Sequence, residues 1–194
     1  MRSFLILHGW QGSGPDHWQT WLAGRLAGAG EDVRYPDLPD PDHPKVEDWA
    51  EALHEQLAAM TGERVVLCHS LACLLWAHEA ERIAAEQPAD RVLLVTPPCP
   101  VSPIPDAHTF YPTPLDAEAV AASARELRVV GTDNDPYCPA GAERSFARPL
   151  HADVDVLAGA GHINTEAGYG PWPAVEAWAR RLGPPAFEGT LGRD

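Results

Sequence analysis

The sequence predicts an α/β protein, a three-layer α/β/α sandwich built on about six mainly parallel strands. Short apolar runs of strand length alternate with amphipathic segments of helical length along most of the chain. Strands that alternate with helices in this way pair in parallel through helical crossovers. The chain has 194 residues, of which 45% are hydrophobic, enough for one good core and too few for two comfortable domains.

The apolar runs give the expected elements in order. Strands are expected at residues 3–7, 32–35, 64–68, 91–95, 126–130 and 153–157. Helices are expected near residues 16–29, 46–60, 71–86, 139–147 and 172–182. We expect one domain over residues 1–182 and a loosely ordered C-terminal tail, 183–194, because the tail holds glycine, proline and few large apolar residues.

A proline-rich segment, residues 96–114, interrupts this alternation after the fourth strand. It begins at the carboxyl edge of the predicted sheet, where open α/β sheets bind their ligands. Long loops are either functional or loosely ordered. Two interpretations therefore stay open, a pocket wall and a stiff connection covered by solvent.

Composition excludes several classes of partner. The formal net charge is −14 and the pI is near 4.9, so we expect no nucleic-acid partner, because phosphate binding needs a basic surface. No apolar run has the length of a signal peptide or a membrane span. Four cysteines lie far apart without a Cys-x-x-Cys pair, which favours reduced thiols. We expect a cytoplasmic protein that does not bind membranes.

Ser70 follows the third predicted strand directly and precedes an apolar helix. A nucleophilic serine at such a junction sits on a strained turn and needs small residues two positions before and after it. Those positions hold Cys68 and Ala72, which are small but not glycine. Two alternatives stay open: Ser70 as the N-cap of a buried helix, and Cys68 as a thiol nucleophile, although its position in the strand favours a core role.

The first strand runs into a glycine-rich loop, His8-Gly-Trp-Gln-Gly-Ser-Gly14. Acyl transfer needs two backbone N–H groups to bind the oxyanion, one after the nucleophile and one from the loop after a central strand. Leu71 and Trp10 occupy those positions. The loop does not have the spacing of a phosphate-binding motif and lacks its lysine. His8 and His17 have no ligand partners at metal-binding spacing, so we expect no metal and no cofactor.

An acid and a base follow the fifth and sixth predicted strands. Asp133 and Asp135 lie in the loop after residues 126–130. The run from Gly131 to Pro139 resembles the corresponding loop of α/β hydrolases, and this resemblance favours Asp135 over Asp133. His162 follows small residues that allow a tight loop. As single residues, the aspartates are also typical of turns. Together with Ser70 they fall in the order nucleophile, acid, histidine, each directly after a strand, and this order predicts a serine hydrolase in which His162 is the base.

Four blocks of residues resemble those of the small single-domain serine hydrolases related to the retinoblastoma-binding serine hydrolase, with bacterial YdeN-like members. The resemblance covers roughly residues 4–182. The blocks are His8-Gly-Trp10 with Asp16-His-Trp-Gln19, His69-Ser-Leu71, Asn134-Asp-Pro136, and Gly161-His-Ile-Asn164 with Gly168-Tyr-Gly-Pro-Trp-Pro173.

The resemblance implies a compact α/β-hydrolase fold without a large cap. It also implies a triad of Ser70, Asp135 and His162, and esterase-like activity with poorly defined natural substrates. The family commonly has glycine where this chain has Ala72.

The function hypothesis is a carboxylesterase-like serine hydrolase that acts on small acyl or aminoacyl substrates. Its pocket is expected to include Gln11, Phe110, Tyr111 and Trp172, beside Trp10; for the aromatic residues, ordinary packing is the alternative. A second hypothesis is a hydrolase fold with weak or no activity that serves as an interaction module. The sequence identifies no protein partner.

Overall fold

The computed structural model describes residues 1–101, 103–183 and 187. Its centre is a six-stranded, wholly parallel sheet with the strand order β2-β1-β3-β4-β5-β6. The strands are β1 Arg2–Leu7, β2 Asp32–Arg34, β3 Glu63–His69, β4 Ala89–Val95, β5 Ala124–Thr132 and β6 Asp153–Leu157. The predicted α/β class is confirmed, and each predicted strand is present with its ends displaced by at most two residues.

Within the described residues there are five α-helices, four between strands and one after β6: α1 Trp18–Gly28, α2 Val46–Ala59, α3 Leu71–Glu86, α4 Ala117–Ala122 and α5 Pro173–Arg180. Short 3₁₀ turns lie at Pro105–Phe110 and Thr165–Ala167. The prediction of a helix over residues 139–147 is wrong for its first half. The chain turns at Gly141, whose φ of +83° is incompatible with a right-handed helix. Only Glu143–Ala147 is helical there, as one wide π turn.

The helices cover both faces of the sheet. Successive strand residues point to opposite faces, so one run of apolar residues supplies two cores. Leu5 and Val66 pack with α2 and α3 on one face. Phe4 and Val65 pack with α1 and α5 on the other face. This sandwich holds the carboxyl ends of all six strands at one edge, where the loops that carry the predicted site residues begin.

Two further expectations concern the chain ends and membranes. Residues 184–186 and 188–194 of the predicted tail lie outside the described residues. Phe187 is described; it is buried, and its ring lies 5.7 Å from that of Trp172. In the described part of the chain, the helices are too short or too polar to cross a membrane.

Candidate active site

Ser70 lies on a sharp turn between β3 and α3. Its φ and ψ are 56° and −121°, a region that side chains other than glycine rarely adopt. The turn is held by the Ser70 N–H, which donates to the Val95 carbonyl at 2.9 Å, and by the Ser70 carbonyl, which accepts from the Cys73 N–H at 2.9 Å. Cys68 and Ala72 are fully buried beside it. The strained backbone conformation that is typical of a nucleophile elbow therefore forms here with a cysteine and an alanine at the usual glycine positions.

The side chains of Ser70, His162 and Asp135 form one hydrogen-bonded row. His162 Nε2 lies 2.8 Å from Ser70 Oγ, and His162 Nδ1 lies 2.9 Å from each carboxylate oxygen of Asp135. A carboxylate can only accept, so Nδ1 carries the proton and Nε2 accepts from the serine hydroxyl. Asp135 Oδ1 also accepts from the Tyr137 N–H at 2.9 Å. All three side chains are buried almost completely.

The backbone around His162 is anchored by polar groups from three strand ends. The His162 carbonyl accepts from His69 Nε2 at 3.0 Å and from Thr96 Oγ1 at 3.2 Å. The adjacent Gly161 carbonyl accepts from Thr132 Oγ1 at 2.6 Å, and the Gly161 N–H donates to Asn134 Oδ1 at 2.7 Å. A loop held by β3, β4 and β5 together presents the imidazole at a fixed height above the sheet edge.

Two backbone N–H groups beside Ser70 have no acceptor among the residues that the structure describes. Leu71 is the first residue of α3, where helix geometry leaves the N–H unpaired. The Trp10 N–H lies in the glycine-rich loop, whose next residue, Gln11, is tied to the Pro41 carbonyl at 2.8 Å. Gly9 brings this loop so close that a Cβ on Gly9 would stand 2.7 Å from Ser70 Cβ. Glycine is therefore required at residue 9 by this close approach.

Three further histidines lie close to the row and are neutral. His8 donates from Nδ1 to the Gly9 carbonyl and accepts at Nε2 from the Leu38 N–H, 2.8 and 2.9 Å away. Burial lowers the pKa of His8, and it lowers the pKa of His69 well below its usual value. Burial, and repulsion from His162 when that ring is protonated, lower the pKa of His17 to about 4. These rings add hydrogen bonds to the site without adding positive charge near pH 7.

An open pocket of about 220 Å³ lies over Ser70. Its apolar side includes Ile104 and Tyr137, and the Tyr137 ring centroid lies 4.5 Å from that of His162. The predicted residues Trp10 and Gln11 also line it, and so does the exposed carboxylate of Glu166. The other lining residues are Gly9, Gly12, Ser13, Gly14, His17, His69, Ser70, His162, Asn164 and Thr165.

Three residues expected to line the pocket lie elsewhere. Phe110 is fully buried, with its ring 5.3 Å from that of Trp49. Trp172 is buried between Trp18 and Tyr169, 5.3 Å from each ring. Tyr111 borders a separate apolar depression on the surface. From the proline-rich segment, therefore, the pocket receives Ile104, and the rest of the described segment packs on the core or faces solvent.

The thiol alternative finds no support in the environment of Cys68. The side chain is fully buried, and burial raises the pKa of this thiol. A nucleophilic cysteine needs the thiolate and access to the substrate, and Cys68 has neither. Among the described residues, no group of three or more candidate ligands is placed to hold a metal ion.

Several pocket residues were not identified from the sequence, although most are sequence neighbours of residues that were. His69 precedes Ser70, Tyr137 follows Asp135 by two positions, and Asn164 follows His162 by two positions. Loops that carry a site residue place its neighbours in the same pocket. That rule finds these three residues, whereas Ile104 reaches the pocket only through the tertiary path of its segment.

The parallel sheet, the elbow at β3 and the loops at its carboxyl edge define an α/β hydrolase fold. Solved structures support this assignment. The ydeN gene product of Bacillus subtilis matches with a TM-score of 0.80 at 20% identity, covering 93% of this chain and 98% of that one. A YdeN-like hydrolase from Pectobacterium atrosepticum matches with a TM-score of 0.74 at 20% identity, covering 95% and 94%.

The chain belongs to the serine hydrolase family, whose model matches residues 4–181. Its sequence is also 23% identical over 175 residues to YdeN of Bacillus subtilis (strain 168), covering 90% of this chain and 92% of the relative. A more distant match is the esterase domain of a Rhodothermus marinus protein, with a TM-score of 0.65 at 17% identity, covering 92% and 86%. The predicted resemblance to the YdeN-like serine hydrolases is thus confirmed.

Proposed function

We propose that the protein hydrolyses small carboxylic esters, including aminoacyl esters, through a Ser70–His162–Asp135 triad and an oxyanion hole formed by the Trp10 and Leu71 N–H groups. The observation that carries the proposal is the hydrogen-bonded row itself, with Ser70 Oγ 2.8 Å from His162 Nε2 and Nδ1 held by the Asp135 carboxylate. A serine that only capped a helix would not need a buried imidazole and carboxylate behind it.

In the first half of the reaction, Ser70 Oγ attacks the carbonyl carbon while His162 Nε2 takes the hydroxyl proton. The carbonyl electron pair moves to oxygen, where the Trp10 and Leu71 N–H groups bind it; one such donor is worth about 3 kcal/mol in comparable sites. As the intermediate collapses, the bond to the leaving alcohol breaks and His162 gives the alcohol its proton. Asp135 holds the imidazole orientation and stabilises the imidazolium.

In the second half, water attacks the acyl group on Ser70. His162 Nε2 accepts a proton from that water and then returns it to Ser70 Oγ, which leaves the free acid and the starting enzyme. The pocket volume of about 220 Å³ lies below the range usual for drug-sized ligands. This volume favours a short acyl group.

The name of the Rhodothermus marinus relative, an esterase domain, supports ester chemistry as the first activity to test. The experiment is a panel of 4-nitrophenyl esters that varies acyl length and charge, assayed with wild type, Ser70→Ala and His162→Ala. We expect turnover of short esters by wild type and a loss of at least a thousandfold in both variants. Equal turnover by wild type and Ser70→Ala would contradict the proposal, and wild-type turnover no faster than the uncatalysed reaction would favour an interaction module.

A further inference from the structure

His17 caps α1 through one nitrogen only. It is the N-cap residue, and its Nδ1 accepts from the Gln19 N–H at 3.2 Å. A neutral imidazole that accepts at Nδ1 carries its proton on Nε2. Within the described residues, no group accepts from that Nε2–H, although His17 is only 5% exposed. Because His17 lines the pocket over Ser70, Nε2–H is the polar group that it offers there.

Asn164 offers a second unused donor to the same pocket. Its Oδ1 accepts from the Ala167 N–H at 3.1 Å, which fixes the orientation of the amide. The Nδ2 group therefore faces away from this cap, and no acceptor for it is found in the part of the chain that the structure describes. Asn164 is half-buried and lines the pocket with His17.

The charge of the pocket restricts what these donors can bind. Glu166 is the one Asp, Glu, Lys or Arg among the described lining residues, and the chain has a net charge of −14. Glu166 would repel a carboxylate on the ligand. The chemistry that fits two neutral donors beside one carboxylate is an uncharged acceptor oxygen, such as an ether, hydroxyl or ketone oxygen.

The acceptor is assigned to the acyl side of the ester. Trp10, whose N–H faces the developing oxyanion in the proposed reaction, and His17 belong to the same loop, residues 8–17. Tyr137 instead lies against His162, which hands its proton to the leaving group. The loop therefore follows the acyl chain away from the carbonyl, and the aromatic ring borders the departing alcohol.

We propose that His17 Nε2–H and Asn164 Nδ2–H form a specificity site for an uncharged acceptor oxygen in the acyl chain, so that oxygen-bearing short acyl esters are preferred over alkyl esters of equal size. The proposal rests on the proposed function, because it assigns the substrate class of the same site. When a bound alkyl chain covers these donors and leaves them unpaired, the discrimination becomes larger than the hydrogen bond alone.

The test compares two esters of nearly equal shape, 4-nitrophenyl methoxyacetate and 4-nitrophenyl butyrate, and measures the ratio of their kcat/KM values. Intrinsic reactivity cancels when the ratio of each variant is divided by that of wild type. His17→Asn keeps a side-chain acceptor for the N-cap of α1 but removes the Nε2–H donor. Asn164→Asp keeps Oδ1 for the Ala167 N–H and removes the amide donor.

We expect each variant to lower the methoxyacetate-to-butyrate ratio about five- to tenfold, the size of one lost hydrogen bond, while circular dichroism shows the native fold. A merely structural role would lower both kcat/KM values equally and leave the ratio unchanged. If His17→Asn does not fold, Asn164→Asp decides.

The outcomes separate this inference from the proposed function. Ratios within twofold of wild type in the folded variants, with Ser70→Ala inactive on both esters, overturn the specificity site and leave the triad in place. Turnover of both esters by Ser70→Ala at the wild-type rate overturns the proposed function, and the specificity site with it. A selective fall of the ratio in the variants, with Ser70→Ala inactive, supports both.

Discussion

Replacement of Gly9 by alanine is expected to damage catalysis more than stability. The new Cβ would stand 2.7 Å from Ser70 Cβ, and 3.2 Å from both Ser70 Oγ and the His69 carbonyl oxygen. Since comfortable carbon–carbon contacts lie near 3.5–4.0 Å, either Ser70 or the Trp10 loop must move by roughly 1 Å. A displacement of that size at a reacting atom costs about a hundredfold in rate, whereas overpacking costs about 1–3 kcal/mol of unfolding free energy.

The assay is kcat/KM on a short 4-nitrophenyl ester together with urea denaturation. Gly24→Ala in α1 is the matched control, because a Cβ there meets no atom within 4 Å; alanine at a helix interior is expected to stabilise by about 0.5–1 kcal/mol without loss of rate. If folded Gly9→Ala keeps activity within threefold of wild type, the close approach of the loop to Ser70 does not matter for the reaction and the reasoning is refuted.

Three other predictions concern the surroundings of the row. Thr96→Val removes one donor to the His162 carbonyl and is expected to lower kcat about tenfold, with recovery in Thr96→Ser; equal rates in the two variants would argue against this anchoring role. The folded pKa of His17, about 4, lies below the ordinary value of 6.5, so the unfolded chain binds more protons between these values. The unfolding free energy should therefore fall as pH drops from 6.5 towards 4, by about 3 kcal/mol for His17. Urea denaturation at several pH values measures this fall, and in His17→Asn its slope should correspond to about one proton fewer taken up on unfolding. Ala72→Gly is expected to cost about 1 kcal/mol of stability and to leave kcat/KM within threefold, because the elbow already forms with alanine; a tenfold gain in rate would show that the methyl group hinders the turn.

The centre of the sheet could be predicted from the sequence because β1, β3 and β4 are nearly continuous apolar runs that are buried on both faces. α3, Leu71–Glu86, was predicted at its observed ends for a similar reason, since its apolar run follows the third strand directly. The short helix α4, Ala117–Ala122, was not predicted; its six residues are too few for a periodic pattern, and it depends on the Asp116 side chain that caps it at 3.0 Å.

The residues of the row could be nominated from chain order, since parallel strands bring the residues that follow them to one edge. The pocket walls could not be identified in this way. Phe110 and Trp172 are aromatic residues near suggestive motifs, but their rings pack on Trp49 and Trp18 inside the two cores. Whether an aromatic ring faces a pocket or a core depends on the path of the whole loop, which local pattern does not encode.

The most direct test of the account is to trap the acyl-enzyme. Wild type mixed with a slowly deacylating short 4-nitrophenyl ester and quenched within seconds should gain the mass of one acyl group, located on the peptide that contains Ser70, with a burst of one 4-nitrophenolate per chain. Ser70→Ala should show neither the added mass nor the burst. An acyl group found on another residue, or ester turnover without any covalent intermediate on Ser70, would contradict the central claim.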